Sequence, residues 1–158
     1  MPNIIRKQLV KHLKGGQAFM PVDKLLEEIT WDKLGVRPAD LPYSFYEVFY
    51  HIYYTQNDIL NFCKAESYST PSWPDDYWPE TQTPKNEQAW EKLVADFQSD
   101  REKLVSFLQA EKNALEKPVR HGKGDQTLIR EMMLIIEHTA YHTGQLLVIL
   151  RCLGLHTS

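Results

Sequence analysis

Three of the six histidines in this 158-residue chain carry its clearest chemical potential: His51, His138 and His142. His138 and His142 lie four residues apart in Glu137-His138-Thr139-Ala140-Tyr141-His142-Thr143-Gly144-Gln145, inside a stretch with apolar residues at helical spacing. At about 100° per residue, such a pair differs by only ~40° around a helix axis and stands one turn apart, so both imidazoles can converge on one ion. The two histidines of H-E-x-x-H zinc sites use this spacing. Neutral imidazole suits zinc, nickel, copper and iron. Spacing alone is weak support, because six histidines scattered over 158 positions produce some such pair roughly one time in five. Position adds weight: both rings fall at the edge of the apolar seam, where two polar groups need partners.

His51 is the third element. It is flanked by Phe49, Tyr50, Ile52 and Tyr53, and a lone histidine in such a setting reads more readily as a hydrogen-bonded core residue. With the pair on the last helix available, the balance moves to a three-histidine site. Three protein ligands leave a position open for water or substrate, the arrangement of a catalytic metal. His12, His121 and His156 fall near helix or chain ends and read as unattached.

Thr139 occupies the position that holds the general base in an H-E-x-x-H peptidase, which argues against that activity. Two routes stay open to a bound ion: bringing the pKa of a water near 7, or holding a thiol as thiolate with no protein base needed. Glu47, one turn before His51, and Glu131, two turns before His138, either orient an imidazole or serve as a base. The plainer reading is that Glu47 caps its helix and Glu131 is solvated. Gln145 either touches the site or packs between helices.

The elements that must position these residues are helical. Ile5, Leu9 and Leu13 mark one face over residues 4–14, and Gly15-Gly16 stops the run. A short helical piece covers 22–29, and residues 35–42, with two prolines and a glycine, read as a loop. Ser44 with Glu47 forms a capping box for a helix running to about residue 64, with Phe45, Val48, Phe49, Ile52, Ile59 and Leu60 buried. Residues 66–85 hold Pro71, Pro74, Pro79 and Pro84 around Trp73, Tyr77 and Trp78. They form a long crossover, read here as anchored by its tryptophans, with a lid over the ion as the alternative. A helix over 87–112 carries Trp90, Leu93, Val94, Phe97, Leu104, Phe107 and Leu108 on its stripe. Pro118 and Gly122-Lys123-Gly124 follow as a turn. Asp125 reads as the N-cap of a last helix that reaches Leu153 before Gly154 ends it. Its seam runs through Leu128, Met132, Ile135, Thr139, His142, Leu146, Ile149 and Leu153.

No segment alternates with the period of a strand, so the fold class is all-α: a four-helix bundle, read as one domain over 1–158. At ~3.3 Å per extended residue the crossover can run the length of the bundle. The second and third principal helices can then lie parallel, with the last antiparallel to both.

Composition closes off several classes. A net charge of −3 argues against a nucleic-acid partner. No run approaches the ~18 apolar residues of a membrane span, and no signal peptide or N-x-[ST] sequon occurs, so a cytoplasmic location is the expectation. Cys63 and Cys152 each fall in an apolar helical stretch and read as small buried hydrophobes. A domain of this size buries roughly two-thirds of its surface and needs no metal merely to fold.

The run from His138 through Gly144-Gln145 to Leu150-Arg151-Cys152-Leu153-Gly154 resembles the closing motif of the DinB/YfiT superfamily. The segment from Leu41-Pro42-Tyr43-Ser44 to His51 is similar to the one that places that family's first metal-binding histidine, and Trp73-Pro74-Asp75-Asp76-Tyr77-Trp78-Pro79 fits one branch. The resemblance spans about residues 5 to 154. It implies a bundle with the long crossover, a zinc or nickel ion held by His51, His138 and His142, and a homodimer. It further implies metal-dependent hydrolase or thiol transferase chemistry on a small-molecule substrate, such as a low-molecular-weight thiol. Two rival readings remain: a non-catalytic metal-binding or stress-linked interaction module, and histidines that are purely structural.

Overall fold

The computed structural model describes residues 4–157. Its helices are α1 (Ile4–Lys14), the short α2 (Val22–Glu28), α3 (Phe45–Lys64), α4 (Glu87–Gln109) and α5 (Leu128–Cys152), and no strand occurs among the described residues. Three single 3₁₀ turns punctuate the loops, at Trp31–Lys33, Pro38–Asp40 and Asp75–Tyr77. Among the described residues, no helix is long and apolar enough to cross a membrane.

Helix directions follow from which side chains meet. Phe49 meets Trp90 and Phe97, Gln56 donates to the Phe97 carbonyl at 2.9 Å, and Asn57 donates to Asp100 at 2.6 Å, so α3 and α4 run parallel. His51 meets His138 and His142, while Leu60 and Cys63 share a cluster with Leu128 and Met132, so α5 is antiparallel to α3. Arg6 donates to the Leu108 carbonyl, and Lys14 lies 3.9 Å from Glu102, which makes α1 antiparallel to α4. The parallel pair requires the crossover to return the chain along the bundle, as its length anticipates.

Local signals place most ends. Ser44 Oγ accepts from Glu47 N at 3.2 Å and Glu47 Oε2 accepts from Ser44 N at 2.7 Å, completing the capping box. Two orphan N–H groups at the start of α3 are thereby satisfied reciprocally. At the other end of the chain, Leu155 N donates to Leu150 O and Gly154 N to Arg151 O, with Gly154 at φ 73°. That is a Schellman ending, which favours glycine because a Cβ crowds this backbone region.

Two ends differ from expectation. The cap of α5 is Thr127, whose hydroxyl accepts from Arg130 N, not Asp125. Val119 N donates to Gln126 O and Pro118 pairs with Thr127 in an isolated bridge, holding the chain extended for two further residues. Helix α4 stops at Gln109, short of Lys112, because Asn113 Nδ2 takes the Phe107 carbonyl at 2.8 Å and Arg6 takes that of Leu108. Cysteine burial also splits: Cys63 is buried as expected, but Cys152, on the last turn of α5, is exposed.

The core has two apolar clusters. One joins Leu60, Leu104, Leu108 and Met132 near the ends of α3 and α4; the other joins Phe45, Phe49, Ile52, Phe97, Leu146 and Ile149. A polar layer with His51, Gln56, Asp100, His142 and Thr143 lies buried between them. Leaving hydrophobic packing at mid-bundle costs stability unless each polar group is satisfied, and this layer is where α3 and α5 bring their histidines together.

Candidate metal centre

The structure brings His51, His138 and His142 into one cluster, with a donor nitrogen from each within 4.8 Å of the others. Ring centroids are 4.7 Å apart for His51 and His138, 4.6 Å for His51 and His142, and 4.4 Å for His138 and His142. His51 is 2% exposed and His142 7% exposed, so neither is a solvated surface histidine.

Hydrogen bonds determine how each ring presents itself. His51 Nδ1 lies 3.1 Å from the Tyr77 carbonyl, which can only accept, so Nδ1 carries the proton and Nε2 keeps its lone pair. His142 Nδ1 lies 2.5 Å from Gln145 Oε1, whose amide in turn donates to the Tyr43 hydroxyl at 3.3 Å. The same argument leaves His142 Nε2 with its lone pair. His138 Nε2 is 2.9 Å from His51 Nε2 and 3.5 Å from Thr55 Oγ1. Two imidazole nitrogens this close either share a proton or face a common cation.

The electrostatics keep the rings neutral, the state that binds metal. Burial disfavours the imidazolium form and pushes His51 down to about 4, despite the Tyr77 carbonyl and with added repulsion from His142. Burial, then repulsion from His142 and His51, brings His138 to about 3. His142 is lowered too, by burial, with Gln145 opposing. The donor set and spacing therefore fit a divalent metal ion.

The crossover covers one side of the cluster. Trp78 stacks on the His51 ring at 4.1 Å and 3°, while Trp73, 6.1 Å from the same ring, remains 68% exposed. Anchoring and covering are thus one interaction: the residue that pins the crossover does so on a ring of the cluster. Beside His138, which is the one cluster histidine on its lining, Leu134, Glu137 and Tyr141 complete an open depression of about 300 Å³.

Other sequence expectations resolve by position. Gln145 touches the site through His142. Glu47 does not, because its carboxylate caps α3 and pairs with Arg37. Burial raises its pKa, but the Arg37 guanidinium and the Ser44 N–H more than offset this and hold it below the ordinary range. Glu131 is not solvated: it is 2% exposed and accepts from Arg130 at 2.7 Å, away from the cluster. Nor are the remaining histidines all unattached. His121 Nε2 lies 2.8 Å from the Ala65 carbonyl and His156 Nδ1 2.7 Å from Glu28. Sequence reasoning missed Thr55 and the Tyr77 carbonyl. Thr55 sits one turn after His51 on the same face and was findable by spacing, whereas a crossover carbonyl leaves no mark in residue type.

Among curated proteins and solved structures, none matches the chain. A family model described as the DinB superfamily matches residues 17–146, which takes in all three histidines, Gln145 and the whole crossover. With that match over most of its length, and an all-helical bundle bearing the histidine cluster, the chain belongs to the DinB superfamily.

Proposed function

We propose that this protein is a metal-dependent enzyme in which His51, His138 and His142 hold a zinc or nickel ion and direct a low-molecular-weight thiol, or water, at a small electrophilic substrate. The observation that carries this reading is the convergence of three neutral imidazoles with no carboxylate in the cluster. Neutral ligands leave the ion its full positive charge, which favours bound thiolate or hydroxide over thiol or water. The Tyr77 carbonyl and Gln145 hold two of the rings by their Nδ1 protons. Trp78 shields His51 from solvent on one face, and the depression beside His138 leaves room for a reactant. Glu47 and Glu131 are engaged elsewhere, whereas Glu137 lines the depression beside His138 and is the carboxylate placed for a water route; the thiol route needs no protein base. The exposed side of α5, with Met133 at 57%, Tyr141 at 68% and Val148 at 47%, supports pairing with a second copy of the chain.

Metal content of the purified protein and of the His142→Ala variant tests the reading. Near-stoichiometric metal in the native chain and a loss in the variant are expected; equal, substoichiometric metal in both would end it. A screen of the metal-loaded protein with thiols and electrophiles then separates an enzyme from a non-catalytic metal-binding module, which would show no turnover.

A further inference from the structure

His51, Tyr54 and Asp58 occupy one face of α3, at steps of three and four residues. Tyr77 lies along that face. Its backbone carbonyl accepts from His51 Nδ1 at 3.1 Å, and its ring meets Tyr54 edge-on at 5.1 Å and 64°. Its hydroxyl donates to Asp58 Oδ2 at 2.7 Å. The seven steps from His51 to Asp58 span about 10 Å of helix, so one side chain ties its own carbonyl to a carboxylate two turns away. The other Asp58 oxygen, Oδ1, accepts from the Tyr68 hydroxyl at 2.9 Å.

A carbonyl inside a helix or sheet is held by the backbone ladder. The Tyr77 carbonyl instead sits at the end of a single 3₁₀ turn in a long crossover, closed locally by Tyr77 N on the Pro74 carbonyl at 3.0 Å. Its place against α3 is set by side chains: the Tyr77 hydroxyl on Asp58, the Tyr77 ring on Tyr54 and the Trp78 ring on His51. We propose that Asp58 is a positioning residue for His51: by fixing Tyr77 along α3, it keeps the carbonyl on Nδ1 and so keeps the Nε2 lone pair turned to His138 and His142. The consequence for an ion rests on the metal-centre reading above. The consequence for the His51 tautomer does not.

The test uses Tyr77→Phe, which keeps the ring and backbone, Asp58→Ala, and Tyr68→Phe as the control that also loses a bond to Asp58 but does not touch His51. Long-range proton–nitrogen NMR of the metal-free, ¹⁵N-labelled protein reads the tautomer of each histidine. His51 is expected as a single Nδ1–H tautomer in the native chain and in Tyr68→Phe, and as a mixture in Tyr77→Phe and Asp58→Ala. Cobalt and zinc titrations should then show affinity weakened about ten-fold in those two variants, and no further in their double variant, as for an outer partner acting through a ligand. An unchanged tautomer in Tyr77→Phe, an equal response in Tyr68→Phe, or unaltered affinity beside a scrambled tautomer would each overturn the proposal. If the native chain binds neither ion, the metal-centre reading falls, while the tautomer measurement still decides the role of Asp58.

Discussion

Acidification is expected to destabilise the metal-free protein through its buried imidazoles, and His51 allows the effect to be sized. Its pKa lies at about 4 in the fold, chiefly because burial penalises the charged ring, against an ordinary 6.5. Below 6.5 the unfolded chain therefore binds more protons than the folded one. Stability falls as pH falls, beginning near 6.5 and levelling off below the folded value. The full slope is about 1.4 kcal/mol per pH unit, and integrating to about pH 4 gives a loss of about 3 kcal/mol from this group alone. That is a large share of a typical total of about 5–15 kcal/mol. His138 and His142 act in the same direction, but the three do not add, because the first proton on the cluster repels the next. The assay is urea unfolding with a chelator present, from about pH 8 to about pH 4, on the native chain and His51→Gln. The stability advantage of the native chain over the variant should shrink by about 3 kcal/mol on acidification. An advantage that stays constant across this range would refute the account of His51 as an imidazole buried in its neutral form.

Three further outcomes are expected. Phe49 is fully buried and meets both Trp90 and Phe97 edge-on at 5.3 Å, so Phe49→Ala should lower unfolding stability by about 3–5 kcal/mol; a calorimetric loss under about 1 kcal/mol would contradict that packing. Ser44→Ala removes the cap of α3 and a 2.7 Å bond to the Gln82 carbonyl, and should cost about 1–2 kcal/mol in the same measurement. Cys63 is buried, with its thiol pushed up to about 12 by burial and then by Glu131, while Cys152 is exposed. An alkylating reagent should therefore label Cys152 alone in the native protein and both thiols after denaturation, with peptide mass mapping as the readout.

Much of the bundle is legible in the residues, because its signals are local. The capping box of Ser44 and Glu47, the Schellman ending at Gly154 and the apolar stripes of α3 and α5 each depend on residues within one or two turns. Where a longer-range bond intervenes, the local reading slips. Asp125 is a good cap by type, yet the pairing of residues 118–119 with 126–127 delays α5 to Thr127. Cys152 belongs to an apolar stretch, but it lies off the seam of Leu146, Ile149 and Leu153, beside the exposed Arg151, and is itself exposed.

The site divides along the same line. That His138 and His142 share a helix face follows from a rotation of 100° per residue, and it holds in any fold that keeps the segment helical. That His51 meets them depends on the parallel course of α3 and α4 and the antiparallel return of α5, which only packing selects. The protons on Nδ1 of His51 and His142 belong to the same class. The amide that holds His142 is three residues away on its own helix, whereas the carbonyl that holds His51 lies twenty-six residues along the chain. The first could be read from spacing; the second exists only because a crossover without a backbone ladder of its own is laid down on α3 by its side chains.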